Sequence, residues 1–243
     1  MEVVCNLGYL CCSCNRRPTK KNTAFTYRDS CICKDCFKKI EAYPKLYRFE
    51  ASDNVEYMTP ILKYKGVYRD MFLDFKFMGK RACGHIIGQI LAYYLKDCDL
   101  FGEFEYIVPI PVSKKRWNIR GYNQSEIMAR YVSEALKIPI KNALVRDKDS
   151  APQSKVGRRK RKENVKDAFS AAVMFNGENV ILFDDVYTTG NTATNCAKVL
   201  KDRGAGVVCI IAAAHNDIED MDVTIHLFHE WFFEFKNLKY DKK

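Results

Sequence analysis

Apolar residues recur at helical spacing in one long segment of this chain. Six of them lie three or four positions apart and would share one face of a helix: Ile86, Ile87, Ile90, Leu91, Tyr94 and Leu95. This periodicity predicts a helix over Gly79–Lys96. Asn123, followed three residues later by Glu126, has the capping-box pattern that begins a helix, which we expect to end at about Leu136. Another amphipathic segment, from about Thr192 to Arg203, is closed by a glycine and predicts a further helix.

Three short, continuous apolar runs predict buried strands. They lie at Tyr106–Pro111, Val180–Phe183 and Val207–Ala213, between the predicted helices. Strands without polar alternation that are separated by amphipathic helices are typical of a parallel sheet covered on both faces. The hydrophobic pattern therefore predicts an α/β fold.

The pattern also divides the 243 residues into four parts. Residues 1–40 are rich in cysteine, 41–60 resemble a connecting segment, 61–216 hold the predicted sheet, and 217–243 form a C-terminal segment. In the last part, six apolar residues lie at helical spacing: Leu227, Phe228, Trp231, Phe232, Phe235 and Leu238. Such a stripe packs on the main domain or forms a dimer contact, and packing on the domain is the favoured interpretation.

Composition narrows the class of protein. The chain is 47% hydrophobic and 29% charged, a mixture typical of folded proteins that do not reside in membranes. Its longest apolar runs fall far short of the roughly 20 residues that span a bilayer. Glu2 and an early cysteine cluster replace the basic and apolar regions of a signal peptide. We therefore expect a cytoplasmic protein without a membrane span.

The net charge of +10 is concentrated in two places. Residues 114–120 carry four basic and no acidic side chains, and residues 141–169 carry ten basic and four acidic ones. The rest of the chain is neutral overall. A local excess of this kind indicates anionic partners at two sites rather than general solubility.

Four of the eleven cysteines form two CxxC pairs, Cys11 with Cys14 and Cys33 with Cys36, separated by 18 residues. Two such pairs supply the four sulfurs that a structural Zn²⁺ prefers, so the spacing predicts a zinc ribbon. Four thiolates leave no open position for a substrate. The alternative is a set of buried free thiols, and the neighbouring cysteines leave the register open (Cys5, Cys12 and Cys31). Four others lie on apolar faces and are expected in the core: Cys83, Cys98, Cys196 and Cys209.

The candidate chemistry lies between the strand that ends at Phe183 and the helix that follows. The sequence there is Asp-Asp-Val-Tyr-Thr-Thr-Gly-Asn-Thr, from Asp184 to Thr192. Ligands of open α/β sheets bind at strand carboxyl ends, where adjacent carboxylates can engage ribose hydroxyls or a divalent cation. The threonine-rich turn offers hydroxyls, backbone N–H groups and a helix N-terminus to a phosphate. The alternative is an acidic turn followed by a threonine helix cap.

This segment resembles the 5-phosphoribosyl-1-pyrophosphate (PRPP) motif of type I phosphoribosyltransferases. Within that superfamily, the chain resembles the ComF (ComFC) competence family over roughly residues 5–215. The matching pieces, in chain order, are the paired CxxC, Leu73–Lys80, Val108–Arg116, Arg120–Gln124, the basic Gln153–Asn164 stretch and the PRPP motif. The resemblance implies a type I phosphoribosyltransferase-like parallel sheet flanked by helices, with a small N-terminal zinc ribbon.

The resemblance also implies roles for individual residues. Asp184 and Asp185 would contact the ribose hydroxyls in catalysis. PRPP would also bind the following turn: Val186, Thr188, Thr189, Gly190, Asn191 and Thr192. Mg²⁺ and pyrophosphate would lie near residues 111–116, beneath a basic loop at about 148–164. The candidates for binding the pyrophosphate are Lys114, Lys115, Arg116, Arg158, Arg159 and Arg161, although a solvated basic face explains some of them equally well. The implied reaction displaces pyrophosphate from ribose C1 through an oxocarbenium-like state.

Three functions remain open at this point. A ComF-like protein would act in natural transformation and DNA uptake, with PRPP, single-stranded DNA and other competence proteins as partners. The alternatives are a nucleotide-salvage enzyme that joins PRPP to a nitrogenous base, and a PRPP sensor without turnover. The zinc ribbon and basic segments favour the first, since base salvage requires neither. Aromatic residues near the basic segments (Trp117, Tyr122 and Phe169) would either stack on bases or lie in the core.

Overall fold

The structure is a computed structural model that describes residues 9–43, 47–48, 54–98, 101–146, 168–215 and 226–227. The predicted basic loop at 148–164 and most of the segment 217–243 lie outside these residues. In chain order, the strands are β1 (Leu10–Cys11), β2 (Thr23–Tyr27), β3 (Ser30–Cys33), β4 (Tyr47–Arg48), β5 (Tyr57–Lys63), β6 (Tyr106–Pro109), β7 (Leu144–Arg146), β8 (Phe169–Ala171), β9 (Val180–Tyr187), β10 (Val208–His215) and β11 (His226–Leu227). The helices are α1 (Lys34–Phe37), α2 (Gly66–Phe77), α3 (Arg81–Leu95), α4 (Lys114–Arg120), α5 (Gln124–Leu136) and α6 (Asn191–Asp202).

A four-stranded sheet in the order β5-β10-β9-β6 forms the centre of the main domain, and all its neighbouring strands are parallel. Its side chains alternate between two apolar layers. On one face, Ile181 and Phe183 pack in the same cluster as the buried residues of α2, α3 and α5. On the other, Val180 and Leu182 join the buried residues of α6, β7 and β8. The predicted α/β class is therefore confirmed, with helices on both faces of a parallel sheet.

The predicted elements are present, with shifted ends. Strand β9 continues four residues beyond Phe183 because its register with β10 persists to the pair His215–Tyr187. Asp184 and Asp185 thus lie within a strand rather than in a turn. The sheet also begins at Tyr57, inside the stretch interpreted as a connecting segment. Pro60 suits this position, since β5 is the outer strand of the parallel sheet and proline is tolerated at edges.

Helix α5 begins as its sequence predicts. The Ser125 N–H donates to Asn123 Oδ1 at 3.1 Å, which caps the first turn. The Asn123 side-chain amide also donates to the Ile110 carbonyl at 3.0 Å, which ties the start of α5 to the segment after β6. The Glu126 carboxylate accepts from Arg130 at 2.7 Å, one turn along the helix. The cap therefore positions both α5 and the loop beside it.

The N-terminal module is a three-stranded sheet, β1-β3-β2, followed by α1. It packs on α3 of the main domain through aromatic contacts. The Tyr27 ring stacks on His85 with 3.7 Å between ring centroids, and the His85 Nδ1 lies 3.0 Å from the Tyr131 hydroxyl. Gln89 Nε2 donates to the Thr26 carbonyl at 2.9 Å. The module is thus attached by specific contacts and not by the chain alone.

The C-terminal segment enters the described structure only at β11. His226 and Leu227 pair antiparallel with Arg48 and Tyr47 of β4. Leu227, the first residue of the predicted helical stripe, therefore lies in a strand. The other residues of that stripe lie outside the described residues, as does His229. Within the described parts of the chain, no helix combines the length and the apolar character that crossing a bilayer requires.

Candidate functional site

A cleft of about 290 Å³ lies at the carboxyl ends of β6 and β9. The segments around it come from distant parts of the sequence and meet because parallel strands end at one edge of the sheet. Its lining consists of Tyr64, Phe72, Lys76, Ile110, Pro111, Val112, Arg116, Ser125, Arg146, Asp184, Asp185, Val186, Thr188 and Thr192. Cations and carboxylates thus face one space.

The two aspartates are fixed by the backbone that follows them. Asp184 Oδ1 accepts from the Asp185 N–H at 2.8 Å, and Asp185 Oδ1 accepts from the Val186 N–H at 2.7 Å. Burial and the neighbouring carboxylate of Asp185 raise the pKa of Asp184 to about 8. The pair is therefore poised to bind a cation or a hydroxyl-bearing ligand that relieves the repulsion.

Lys76 lies beside the acidic pair although 109 residues separate it from Asp185. Its Nζ is 3.4 Å from Asp185 Oδ2, and both side chains are largely withdrawn from solvent. The same ammonium lies 4.9 Å from the centroid of the Phe72 ring. Lys76 was noted in the sequence only as part of a family motif, and no local pattern predicts its partner. Tyr68 lies about two helical turns before Lys76 on α2 and is fully buried. Burial, followed by the nearby Asp185 carboxylate, raises its pKa.

The turn after β9 is held close to the strand. Gly190 has a φ of 71°, which favours glycine, and a Cβ at this position would collide with the Tyr187 ring. Among the described residues, no side chain caps the first turn of α6, in contrast to the starts of α4 and α5. The threonine-cap alternative therefore does not describe this turn. Uncapped N–H groups at the start of a twelve-residue helix remain available to an anion.

The structure brings together only some of the predicted PRPP-binding residues. Asp184, Asp185, Val186, Thr188 and Thr192 line the cleft. The remaining ones belong to the same turn: Thr189 is exposed, Gly190 is buried and Asn191 is half-buried.

Of the cations predicted to bind pyrophosphate, Arg116 lines the cleft, whereas Lys114 and Lys115 are exposed on α4. Arg158, Arg159 and Arg161 lie outside the described residues. Arg146 and Lys76 line the cleft as well, and sequence reasoning did not assign either of them to it.

The second predicted site is the cysteine cluster. The sulfurs of Cys11, Cys14, Cys33 and Cys36 all lie within 4.8 Å of one another, and Cys14 Sγ is 3.9 Å from Cys33 Sγ. Zinc–thiolate bonds of about 2.3 Å place tetrahedral sulfurs about 3.8 Å apart, so this set fits a Zn²⁺ ion. Burial raises the pKa of Cys11, but backbone hydrogen bonds from Cys14, Cys33 and Ser13 bring it down to about 7. These four cysteines could therefore hold a metal ion.

The spare cysteines have other surroundings. Cys31 is buried, and burial raises its pKa to about 11. The half-buried Cys12 interacts with Cys83 of α3, across the contact between the module and the main domain. Cys5 lies outside the described residues. Cys83, Cys196 and Cys209 are buried, as predicted, and Cys98 is half-buried.

Two bacterial proteins are similar to most of this chain. Competence protein F of Haemophilus influenzae is 27% identical over 197 residues, which are 71% of this chain and 85% of that protein. Competence protein ComFC of Streptococcus pneumoniae is 28% identical over 194 residues, 73% of this chain and 84% of that protein. The DNA utilization protein YhgH of Escherichia coli is 34% identical over 103 residues, 42% of this chain and 45% of that protein. No protein-family model matches the sequence.

Solved structures with a similar backbone include phosphoribosyltransferases. An adenine phosphoribosyltransferase from Leishmania tarentolae is 14% identical, covers 70% of this chain and 84% of its own, and has a TM-score of 0.35. A hypoxanthine phosphoribosyltransferase from Staphylococcus aureus is 10% identical, covers 56% of this chain and 73% of its own, and also has a TM-score of 0.35.

Proposed function

Because this chain is a homologue of the ComF and ComFC competence proteins, we propose that it binds PRPP with Mg²⁺ and acts on single-stranded DNA in natural transformation. The proposed place of action is the cytoplasm, with other competence proteins as partners. One observation carries the proposal. Two aspartates, two threonines and cations from three separate segments line a single cleft at the carboxyl edge of a parallel sheet.

The sugar-binding part of this proposal rests on the acidic pair. Asp184 and Asp185 would accept hydrogen bonds from the ribose hydroxyls. These hydroxyls are uncharged, and their O–H donors would stabilise the two neighbouring carboxylates against their mutual repulsion. Lys76 already neutralises one of the two carboxylates. The 5′-phosphate would bind Thr188, Thr189, Gly190 and Thr192, where the first turn of α6 offers its N–H groups.

The pyrophosphate would lie against the cations of the cleft. Arg116, Arg146 and Lys76 line it from three different elements. Carboxylate oxygens and substrate phosphates are the ligands that Mg²⁺ prefers, so Asp184 or Asp185 would hold the ion together with the substrate. When bound, Mg²⁺ offsets the negative charge that grows on departing pyrophosphate. The protein itself would orient the sugar and place positive charge at the leaving group.

For the cysteine cluster, we propose a structural Zn²⁺ held by Cys11, Cys14, Cys33 and Cys36. The small module has few buried apolar residues of its own, and metal binding contributes on the order of 10 kcal/mol to folding in zinc-finger peptides. With four sulfurs on the ion, no position is left for a substrate. The metal would therefore stabilise the module and take no part in the reaction.

Calorimetry with PRPP and Mg²⁺ tests the proposal. We expect saturable binding by the wild-type protein and at least tenfold weaker binding by the double variant Asp184→Asn with Asp185→Asn. Asp97→Asn is the matched control, because this carboxylate is 87% exposed, pairs with the neighbouring Lys96 and does not belong to the cleft lining. Wild-type binding that the double variant leaves unchanged would refute the assignment of the cleft.

A second experiment with the same protein tests whether it turns PRPP over. Pyrophosphate release is measured with each common nucleobase and with single-stranded DNA as acceptor. Release with one nucleobase, abolished in the double variant, would assign the base-salvage reaction instead. Binding without release across all bases would exclude base salvage and favour either the proposed role in DNA handling or a PRPP sensor without turnover.

A further inference from the structure

The end of α2 and the whole of α4 form an exposed surface beside the cleft, here called the α2–α4 surface. It consists of Phe77, Met78 and residues 114–120. Its large apolar side chains are strongly exposed: Phe77 (66%), Met78 (70%), Trp117 (48%) and Ile119 (75%). Phe77 and Met78 are adjacent in the chain, and exposed apolar side chains that lie together mark interaction sites in soluble proteins.

The side chains of helix α4 face solvent and are not buried in the core. All seven of its residues are exposed or half-buried. A helix this short is unstable alone in water, so it depends on its two ends. The Arg116 N–H donates to the Ser113 hydroxyl at 3.3 Å, and Gly121 closes the helix with a φ of 71°. Arg81 of α3 donates to the Gly121 carbonyl at 2.5 Å. The fold therefore fixes α4 in place while leaving its apolar residues uncovered.

Cations lie beside the exposed rings on this surface. The Arg120 guanidinium lies 5.6 Å from the centroid of the Phe77 ring, which joins α4 to the end of α2. Trp117 precedes Arg120 by one helical turn. Residues 114–120 carry four basic and no acidic side chains. Burial, followed by the nearby Arg116, lowers the pKa of Arg120, so these cations repel each other until an anion joins them.

We propose that the α2–α4 surface binds a single strand of nucleic acid, whose unpaired bases stack on Phe77 and Trp117 while the cations of α4 contact its phosphates. Exposed rings that lie beside cations fit this ligand because every base offers an aromatic face and every linkage a negative charge. An apolar protein partner would bring no anionic groups to the four cations of α4, and a duplex would keep its bases stacked. The inference deepens the proposed role in DNA handling and rests on it.

The surface adjoins the cleft but differs from it. Arg116 belongs to both, since it lies on α4 and lines the cleft. The Asp185 carboxylate also acts on Arg120, where it favours the charged form. Phe77, Trp117 and Met78, in contrast, are not among the cleft-lining residues. Variants of the two rings therefore test the surface without changing the PRPP site.

Fluorescence anisotropy with a fluorescein-labelled thymidine 20-mer tests the proposal. Phe77→Leu and Trp117→Leu keep an apolar side chain but remove its aromatic face. We expect each to weaken binding by about fivefold or more, since stacking contributes about 1–3 kcal/mol per base. Trp117→Phe keeps a ring and should retain most of the affinity. Met174→Ala is the control. Met174 is 63% exposed and precedes the amino end of β9, whereas the cleft lies at the carboxyl end of that strand.

Salt dependence tests the electrostatic part. The logarithm of the affinity should fall linearly with the logarithm of salt concentration, by about 0.7 per phosphate contact. Arg120→Gln should therefore reduce the slope by about 0.7. Melting temperatures equal to that of the wild type within about 2 °C, with unchanged PRPP binding, establish that the variants fold.

Three results would overturn the inference. If the wild-type protein binds the 20-mer and both leucine variants bind it equally well, the surface is wrong while the proposed function stands. If a duplex of the same length binds as tightly as the single strand, stacking is wrong. If the wild-type protein binds PRPP but no oligonucleotide at 50 mM salt, both this inference and the DNA part of the proposed function fail.

Discussion

The Asp184 carboxyl is held in surroundings that oppose its ionisation. Burial and the adjacent Asp185 raise its pKa from 3.8 to about 8. Between these two pH values the folded protein keeps a proton that the unfolded chain has lost. Stability linked to this group is therefore present below about pH 4 and decreases as the pH rises to about 8. A functional site that lowers stability in this way is common, since binding and stability make different demands.

Asp184→Asn removes this titration and keeps an oxygen for the hydrogen bond from the Asp185 N–H. We expect the variant to have the larger free energy of unfolding at pH 8, by about 1 kcal/mol or more, with the difference shrinking toward pH 4. Urea unfolding at several pH values measures it. Asp97→Asn, at an exposed carboxylate, should show no such trend. Equal stabilities of wild type and Asp184→Asn at pH 8 would contradict the raised pKa.

Gly190 offers a second test at the scale of one residue. Gly190→Ala would place a Cβ against the Tyr187 ring at a φ of 71°, whereas Gly79→Ala has nearly the same φ, 68°, and open space. Both substitutions should cost about 1–2 kcal/mol for the left-handed backbone. Gly190→Ala should cost more and also weaken PRPP binding, because the turn must move. Urea unfolding of both variants measures this, and equal losses of stability would show that the Tyr187 contact is unimportant.

At the scale of elements, periodic segments were predicted well, whereas several shorter or non-periodic elements and also α2 and β5 were missed. Helices α3, α5 and α6 and strands β6, β9 and β10 follow from apolar spacing. Helix α2 buries Tyr68, Met71, Phe72 and Phe75. Their helical spacing was available in the sequence, but of the four only Phe75 entered the sequence analysis, as part of the family motif Leu73–Lys80. Strand β5 was missed because Pro60 marked the end of a connecting segment.

The candidate site was predicted in part, for a physical reason. Residues that are adjacent in sequence, such as Asp184 and Asp185, can be recognised as a candidate site because they follow a predicted apolar strand. Lys76 and Arg146 reach the cleft only through packing of α2 and β7 against the sheet. The sequence also did not indicate which aromatic side chains are exposed. Of the three considered for stacking, Tyr122 and Phe169 are buried and Trp117 is exposed. Phe77, the partner of Arg120, entered the sequence analysis only within the family motif Leu73–Lys80, which indicates nothing about its exposure.

The N-terminal module should depend on its metal as a unit. We expect Cys14→Ser to lose bound zinc and to make residues 9–43 sensitive to limited proteolysis, while residues 54–215 stay resistant. Cys12→Ser is the matched control, because Cys12 interacts with Cys83 and lies outside the four-sulfur cluster. Zinc content by mass spectrometry and the cleavage pattern are the measurements. Zinc loss in Cys12→Ser but not in Cys14→Ser would reverse the ligand assignment.

At the scale of the whole molecule, the cleft and the α2–α4 surface share positive charge. Arg116 lines the cleft and lies on α4, so two anionic ligands would compete for it. We expect saturating PRPP to weaken binding of the thymidine 20-mer by about fivefold at low salt, within the usual range of coupling between sites. Linkage requires the oligonucleotide to weaken PRPP binding by the same factor. Anisotropy titrations with and without PRPP measure the coupling, and equal affinities would exclude a shared cation.

A crystal structure of the protein with PRPP and Mg²⁺ tests the central claim most directly. We expect the ribose to lie against Asp184 and Asp185, its 5′-phosphate at the first turn of α6, and its pyrophosphate near Arg116 and Lys76. Density for PRPP at another part of the molecule, with the cleft at the ends of β6 and β9 holding only solvent, would contradict the account.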